Sequence, residues 1–203
     1  PQGTNSILFN ALPIITLAGA LTASLYVPLF GFQPVFSFPG DLIVTLYLLS
    51  LLTLCIGLAG AQTRDRFSLT GALRVFTQMF AYEAPFILAL LSPAIGLMLA
   101  GEAGSWQINE LAQSAASNAW FVFTLPITFV VAIVGLMGKL EMPPFDAPEA
   151  ETEIVAGALT EYSGRGLAMF TLARAVELVV GLTLVVALYL GGIGEGWLAV
   201  GLF

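Results

Sequence analysis

Long apolar segments alternate with short polar connections along this chain of 203 residues. A helix needs roughly twenty mainly apolar residues to cross the hydrocarbon core of a bilayer. The pattern therefore predicts an all-α, polytopic membrane bundle, forming a single membrane domain over residues 1–203. Five stretches qualify as transmembrane helices, at residues 9–30, 41–61, 73–100, 119–137 and 167–189.

Composition supports a membrane protein and argues against a redox centre in the chain. Hydrophobic residues make up 58% of the sequence and the mean hydropathy is +0.95, well above the values of soluble domains. There is one cysteine and no histidine, so no disulfide framework, iron–sulfur ligation pattern, haem site or zinc site is expected. Because the chain begins at Pro1 and stops at Phe203 within an apolar run, we expect it to be part of a longer protein.

Basic residues gather on one face of the predicted bundle. The first and third connections contain neither lysine nor arginine, whereas the second and fourth do. By the positive-inside rule, that basic face is the cytoplasmic side of a cell membrane that the chain crosses several times. The basic residues that decide this are Arg64, Arg66, Arg74, Lys139 and Arg165.

An acidic loop at residues 139–166 separates the last two predicted spans, with the sequence KLEMPPFDAPEAETEIVAGALTEYSGRG. Met-Pro-Pro ends the preceding helix, and Asp146 with Glu149 has the spacing of a capping box for a new loop helix. Carboxyl groups crowded beside low-dielectric lipid raise one another's pKa, which suits proton traffic. The alternative is a solvated amphipathic loop helix. The candidate proton-path residues of this loop are Asp146, Glu149, Glu151, Glu153 and Glu161.

Three further ionisable residues lie inside apolar spans, namely Glu83, Arg174 and Glu177. Charges at this depth cost several kcal/mol on insertion scales, about 2.5–3.5 each, so they usually face a bundle interior or a water-filled path. We count them as candidate proton-path residues. The alternatives are an intrahelical ion pair between Arg174 and Glu177, and a protonated Glu83 bonded to a neighbouring helix.

Two stretches resemble a known family. PFDAPEAETEIVAGALTEYSG at 144–164 resembles the signature loop of the H-type membrane subunit of complex I, the NADH-quinone oxidoreductase. ALRVFTQMFAYE at 72–83 resembles that family's arginine, glutamine and tyrosine-glutamate pattern. The family also includes the membrane subunit of energy-converting [NiFe]-hydrogenase and formate hydrogenlyase-type complexes.

The resemblance implies a membrane subunit that links a peripheral electron-transfer arm to redox-driven proton or sodium translocation. Its implied partners are the terminal iron–sulfur cluster subunit, the hydrogenase-like large subunit, and antiporter-like and small membrane subunits. The iron–sulfur clusters, and a NiFe centre in the hydrogenase branch, would belong to those partners. By position, the loop carboxylates and Glu83 match the family's acidic entry to a line of protonatable residues.

Departures from the complex I pattern favour the hydrogenase-type branch. Met142 stands where the complex I branch has an arginine, and Lys139 where it has a glutamate, with Glu141 nearby. Arg174 likewise replaces the glutamate of Ala-Glu-Tyr. These departures weaken the expectation of a quinone site, although a quinone-chamber subunit of NADH-quinone oxidoreductase remains the first alternative.

Two other classes of function remain open. A passive membrane anchor would use the loop only to dock the hydrophilic arm. A stand-alone secondary transporter would require two inverted halves, and the sequence shows no such repeat.

Overall fold

The computed structural model describes residues 6–29, 32–63, 65–101, 106–117, 121–148 and 157–192. Within these ranges the chain forms seven α-helices, and the acidic loop contains the 3₁₀ turn Gly157–Leu159. The helices are α1 (Ser6–Ser24), α2 (Asp41–Ala61), α3 (Arg66–Leu99), α4 (Ile108–Ser117), α5 (Phe121–Thr124), α6 (Pro126–Lys139) and α7 (Gly164–Leu190).

The predicted class, an all-helical polytopic membrane bundle, is confirmed. Within the described residues, α1, α2, α3 and α7 are long and apolar enough to cross a membrane. The fourth of the five predicted spans corresponds to α6, a shorter apolar helix of 14 residues. The continuous fourth helix predicted over 119–137 is interrupted at Leu125, and Pro126 then begins α6 where its missing N–H costs no helical hydrogen bond.

Helix ends also differ from the hydropathy pattern. Helix α2 has the predicted bounds, but α3 begins at Arg66 rather than at residue 73. The cause is Asp65, whose carboxylate accepts hydrogen bonds from the backbone N–H groups of Phe67 and Ser68, each at 3.0 Å. Capping therefore extends α3 through a polar stretch that hydropathy does not favour.

Helix α4 was not predicted. It lies in the third connection, and its buried residues recur at the spacing of one helical face: Ile108, Leu111, Ala112 and Ala115. This face packs against α7. The buried carboxylate of Asp41 accepts the N–H of Ile108 at 2.7 Å, so α2 supplies the cap for the start of α4.

Small residues allow the helices to approach closely around the core. A Cβ at Gly135 of α6 would lie 2.9 Å from Phe86 of α3, and one at Gly181 of α7 would lie 2.5 Å from Leu136. Helices α2, α3, α6 and α7 thus come together, and polar groups projecting between them are excluded from solvent.

The 3₁₀ turn of the acidic loop lies against α2 and α3. Its residues Gly157, Ala158 and Leu159 are buried, and the hydroxyl of Ser68 donates to the carbonyl oxygen of Ala158 at 2.9 Å. A Cβ at Gly71 would come within 2.4 Å of backbone atoms of the turn. The loop therefore packs directly on the backbone of α3.

Gly71→Ala tests this contact. Because the clash is with backbone atoms, we expect a loss of about 1–3 kcal/mol in stability, the usual cost of overpacking. Thermal unfolding of the detergent-extracted protein should show a lower midpoint. Gly96→Ala is the matched control on α3, since its added Cβ meets only Leu125 at 3.7 Å. Equal midpoints for the two variants would contradict the docking.

Candidate functional site

One face of α3 holds the first half of the acidic loop. The side-chain amide of Gln78 donates to the carbonyl oxygens of Gly138 at 2.6 Å and Phe145 at 2.7 Å. One turn away, Arg74 donates to the carbonyl oxygen of Ala147 at 3.2 Å. These side chains satisfy backbone groups that a broken helix leaves unpaired.

An aromatic contact completes this attachment. Tyr82 packs edge-on against Phe145 with ring centroids 4.8 Å apart. Arg74, Gln78 and Tyr82 recur every four residues and so share one face of α3. The motif at 72–83 therefore has a structural role in positioning the loop.

Tyr162 anchors the end of the loop. Its hydroxyl accepts a hydrogen bond from Gln62 at 2.9 Å and donates to the carbonyl oxygen of Phe9 at 3.2 Å. Its ring stacks on that of Phe9, with centroids 4.1 Å apart. Burial raises the pKa of Tyr162 to about 12, so the phenol keeps its proton and donates at neutral pH.

A buried charge cluster lies beneath the loop, at the level where α6 ends. Lys139, the last residue of α6, places its ammonium Nζ 3.0 Å from Oε1 of Glu83 and 4.0 Å from Oε1 of Glu177. It also donates to the hydroxyl of Thr53 at 3.3 Å. The Ser50 hydroxyl donates to the same Glu83 oxygen. Because α6 is short, its terminal lysine reaches glutamates that lie about halfway along α3 and α7.

A second ion pair joins the loop to α7. Arg174 donates to Oε2 of Glu141 at 2.8 Å, and the Glu141 side chain is 7% exposed. Glu141 has a φ of 53°, in the left-handed region usually taken by glycine at the end of a helix. The N–H groups of Glu141 and Met142 bond back to Gly138 and Met137, closing a Schellman-type cap on α6. Glycine would be less strained at position 141, but the Glu141 side chain is needed for the ion pair with Arg174.

Desolvation dominates the electrostatics of Glu141. Burial raises the pKa of its carboxyl group above the ordinary value of 4.5, while the neighbouring Arg174 guanidinium acts in the opposite direction. The folded protein therefore binds a proton at Glu141 more tightly than the unfolded chain does.

The buried cluster contains three carboxyl groups and two basic groups. Oε1 of Glu177 is buried and accepts no hydrogen bond from the residues that the structure describes. Among the residues that the structure describes, the cluster thus holds one more acidic group than basic groups.

The structure brings together the predicted membrane residues and separates them from the loop carboxylates that it describes. Glu83, Arg174 and Glu177 all lie in the cluster, and Arg174 forms an ion pair with Glu141 on another element. Asp146 and Glu161 are exposed on the loop. Glu149, Glu151 and Glu153 lie outside the described residues.

Four polar residues of the site escaped sequence reasoning as functional candidates: Ser50, Thr53, Lys139 and Glu141. Ser50 and Thr53 are three residues apart in an otherwise apolar span, which is a detectable polar face. In the sequence, Lys139 stands out as one of the basic residues that indicate orientation and as a departure from the complex I pattern, with Glu141 nearby. The partners of Lys139 and of Glu141 depend on the residue at which α6 ends, and hydropathy does not define that residue sharply.

No group of three or more histidine, cysteine, aspartate or glutamate residues suited to a metal ion occurs in the described parts of the chain. The site is thus a network of carboxyl, ammonium, guanidinium and hydroxyl groups.

Comparison with known proteins identifies the family. The NADH dehydrogenase family model matches residues 1–203. The H-subunit of NADH-quinone oxidoreductase from Bacillus thuringiensis is 34% identical over 195 residues, which is 95% of this chain and 56% of that protein. The chain belongs to the family of the complex I H-subunit. The corresponding proteins of Bacillus cereus and Bacillus anthracis show the same identity and coverage. The chain spans about half the length of these relatives, and with its long apolar helices it is an integral membrane protein.

Glu141→Gln should change the pH dependence of stability. Because the pKa of Glu141 is raised in the folded state, this group makes stability fall as pH rises from 4.5 towards the folded pKa. The glutamine variant cannot release that proton, so its melting temperature should fall less over this range. Melting curves of the detergent-extracted protein between pH 4.5 and 8 measure the difference.

The control is Glu110→Gln on α4, an exposed residue, which should keep the wild-type pH dependence. The assignment fails if Glu141→Gln and wild type lose stability equally with rising pH.

Proposed function

We propose that this chain is the H-type membrane subunit of a complex-I-like oxidoreductase and couples electron transfer in a docked peripheral arm to the movement of protons or sodium ions. The observation that carries the proposal is the buried charge cluster, attached to the acidic loop through Glu141. A passive anchor has no need of the buried carboxyl groups of Glu141 and Glu177, because each costs desolvation energy that apolar packing would avoid.

The proposed route for a charge change runs from the loop to the middle of the bundle. Glu141 pairs with Arg174 on α7, and Lys139, two residues earlier, contacts both Glu177 and Glu83. A small cavity of about 10 Å³, enough for about one water molecule, is lined by Glu141, Lys139 and Glu83. A proton gained or lost at Glu141 would thus change the field felt by Lys139 and both deeper carboxyl groups.

The loop carboxylates would receive the signal from the peripheral arm. Exposed Asp146 and Glu161 are suited to contact a docked subunit, and we assign Glu149, Glu151 and Glu153 to the same acidic entry by sequence position. Partners of this kind would be the subunit with the terminal iron–sulfur cluster and the hydrogenase-like large subunit. They would hold the redox cofactors, while antiporter-like and small membrane subunits would flank the bundle.

The departures in sequence favour an assembly of the energy-converting hydrogenase type. Lys139 and Arg174 stand where the complex I branch carries glutamates, and each forms an ion pair here. The curated relatives are named subunits of NADH-quinone oxidoreductase, which keeps the quinone-chamber role as the second candidate. In either case we assign the loop to the cytoplasmic side from the basic residues near it.

Glu177→Gln and Glu83→Gln test the coupling role. In the purified assembly reconstituted into vesicles, each variant should lower ion pumping roughly tenfold or more, as for the loss of a positioned proton-transfer group, and leave dye-linked electron transfer largely intact. Glu110→Gln, remote on α4, should pump like wild type. If the cluster variants assemble and pump normally, the coupling role is wrong. If they only prevent assembly, the anchor role is favoured.

The composition of the native assembly tests the branch. We expect mass spectrometry of subunits that co-purify with the full-length protein to reveal a hydrogenase-like large subunit, and metal analysis to find nickel with iron. Iron without nickel, with bound quinone and a NADH-oxidising module, would instead establish the quinone-chamber role.

A further inference from the structure

The ammonium group of Lys139 lies where a metal cation would sit if the cluster bound one. Oxygen atoms surround Nζ on several sides, from Glu83 at 3.0 Å, Thr53 at 3.3 Å and Glu177 at 4.0 Å. Carboxylate, hydroxyl and carbonyl oxygens are the ligands that hard cations prefer. The lysine side chain is 3% exposed, so its ammonium group is a fixed, buried cation.

The space beside Lys139 is too small for a hydrated cation. The adjoining cavity of about 10 Å³ is comparable to one water molecule. A sodium ion requires several oxygen ligands at once. The oxygens of Glu83 and Thr53 that face this cavity region are already engaged by Lys139.

A proton, unlike a metal ion, needs neither a cavity nor a set of ligands. Oε1 of Glu177, which accepts no hydrogen bond from the residues that the structure describes, is an atom that can receive one.

We propose that Lys139 determines ion specificity, occupying the cation position between Glu83 and Glu177 so that this cluster accepts protons and excludes sodium. The claim that protons are the translocated ion rests on the proposed function. The claim that the cluster does not bind sodium is independent of that function. A neutral residue at position 139 would free the same oxygens for a metal ion.

Equilibrium binding of radioactive sodium to the purified intact assembly tests the proposal. Lys139→Gln should gain a saturable sodium site that wild type lacks, since the amide is neutral and adds an oxygen ligand. Lys139→Arg, which keeps the cation, should gain none. Lys139→Gln combined with Glu83→Gln should lose the gained site. Sodium bound by other subunits is common to all variants and cancels in the comparison.

A wild-type measurement serves if Lys139→Gln does not assemble. Infrared difference spectra of the wild type, recorded when choline is exchanged for sodium, should contain no carboxylate band from Glu83. Such a band would be recognised by its absence from the spectra of Glu83→Gln. A saturable sodium site in wild type that disappears in Glu83→Gln or Glu177→Gln overturns the proposal. The same holds if Lys139→Gln assembles and gains no sodium site.

The outcomes for specificity and for coupling are distinguishable. Sodium binding at the wild-type cluster, together with sodium pumping, would overturn the specificity of Lys139 and leave the coupling role intact. If the cluster excludes sodium but Glu83→Gln and Glu177→Gln pump like wild type, the coupling role is wrong and the specificity of Lys139 stands.

Discussion

Mutual compensation of buried charges is the constraint on which the rest of this structure depends. Glu141 and Glu177 are buried among packed helices and Glu83 is partly buried, and each is within ion-pair distance of Lys139 or Arg174. Leaving one partner of such a pair alone costs roughly 3–5 kcal/mol, which is comparable to the net stability of many small domains. The helices that carry these residues must therefore keep their relative positions, and the small residues at their contacts make close packing feasible.

The short α6 and the loop that follows it are consequences of the same constraint. If α6 continued for another turn, Lys139 would no longer be its terminal residue and the chain could not turn back along α3. The turn is instead closed by a cap with Glu141 in a left-handed conformation, which costs about 1–2 kcal/mol for a residue other than glycine. The ion pair with Arg174 and the attachment of the loop to Gln78 help to hold that conformation in place.

This arrangement gives the loop an electrical connection to the interior as well as a mechanical one. Side chains of α3 bind its backbone, Tyr162 anchors its end through Gln62, and Glu141 carries a charge into the cluster. In the coupling role that we propose, a partner bound at the exposed loop surface acts on the cluster through Glu141. Such an electrostatic effect is screened less by salt inside the bundle than at its surface.

The sequence by itself determined the class of fold and singled out Glu83, Arg174 and Glu177 as ionisable residues within apolar spans, because apolar length and the cost of a buried charge are local properties. Its resemblance to the H-type subunits of complex I was sufficient to identify the family. The tertiary structure decided what is not local. It shortened the fourth span at Pro126, added the amphipathic α4, and paired Arg174 with Glu141. Lys139 showed the difference most clearly, since it resembled a loop-side basic residue in sequence and became the centre of a buried cluster. The physical reason is that a long side chain selects its partners by where its helix ends and what packs around it, and both are set by contacts between segments far apart in the chain.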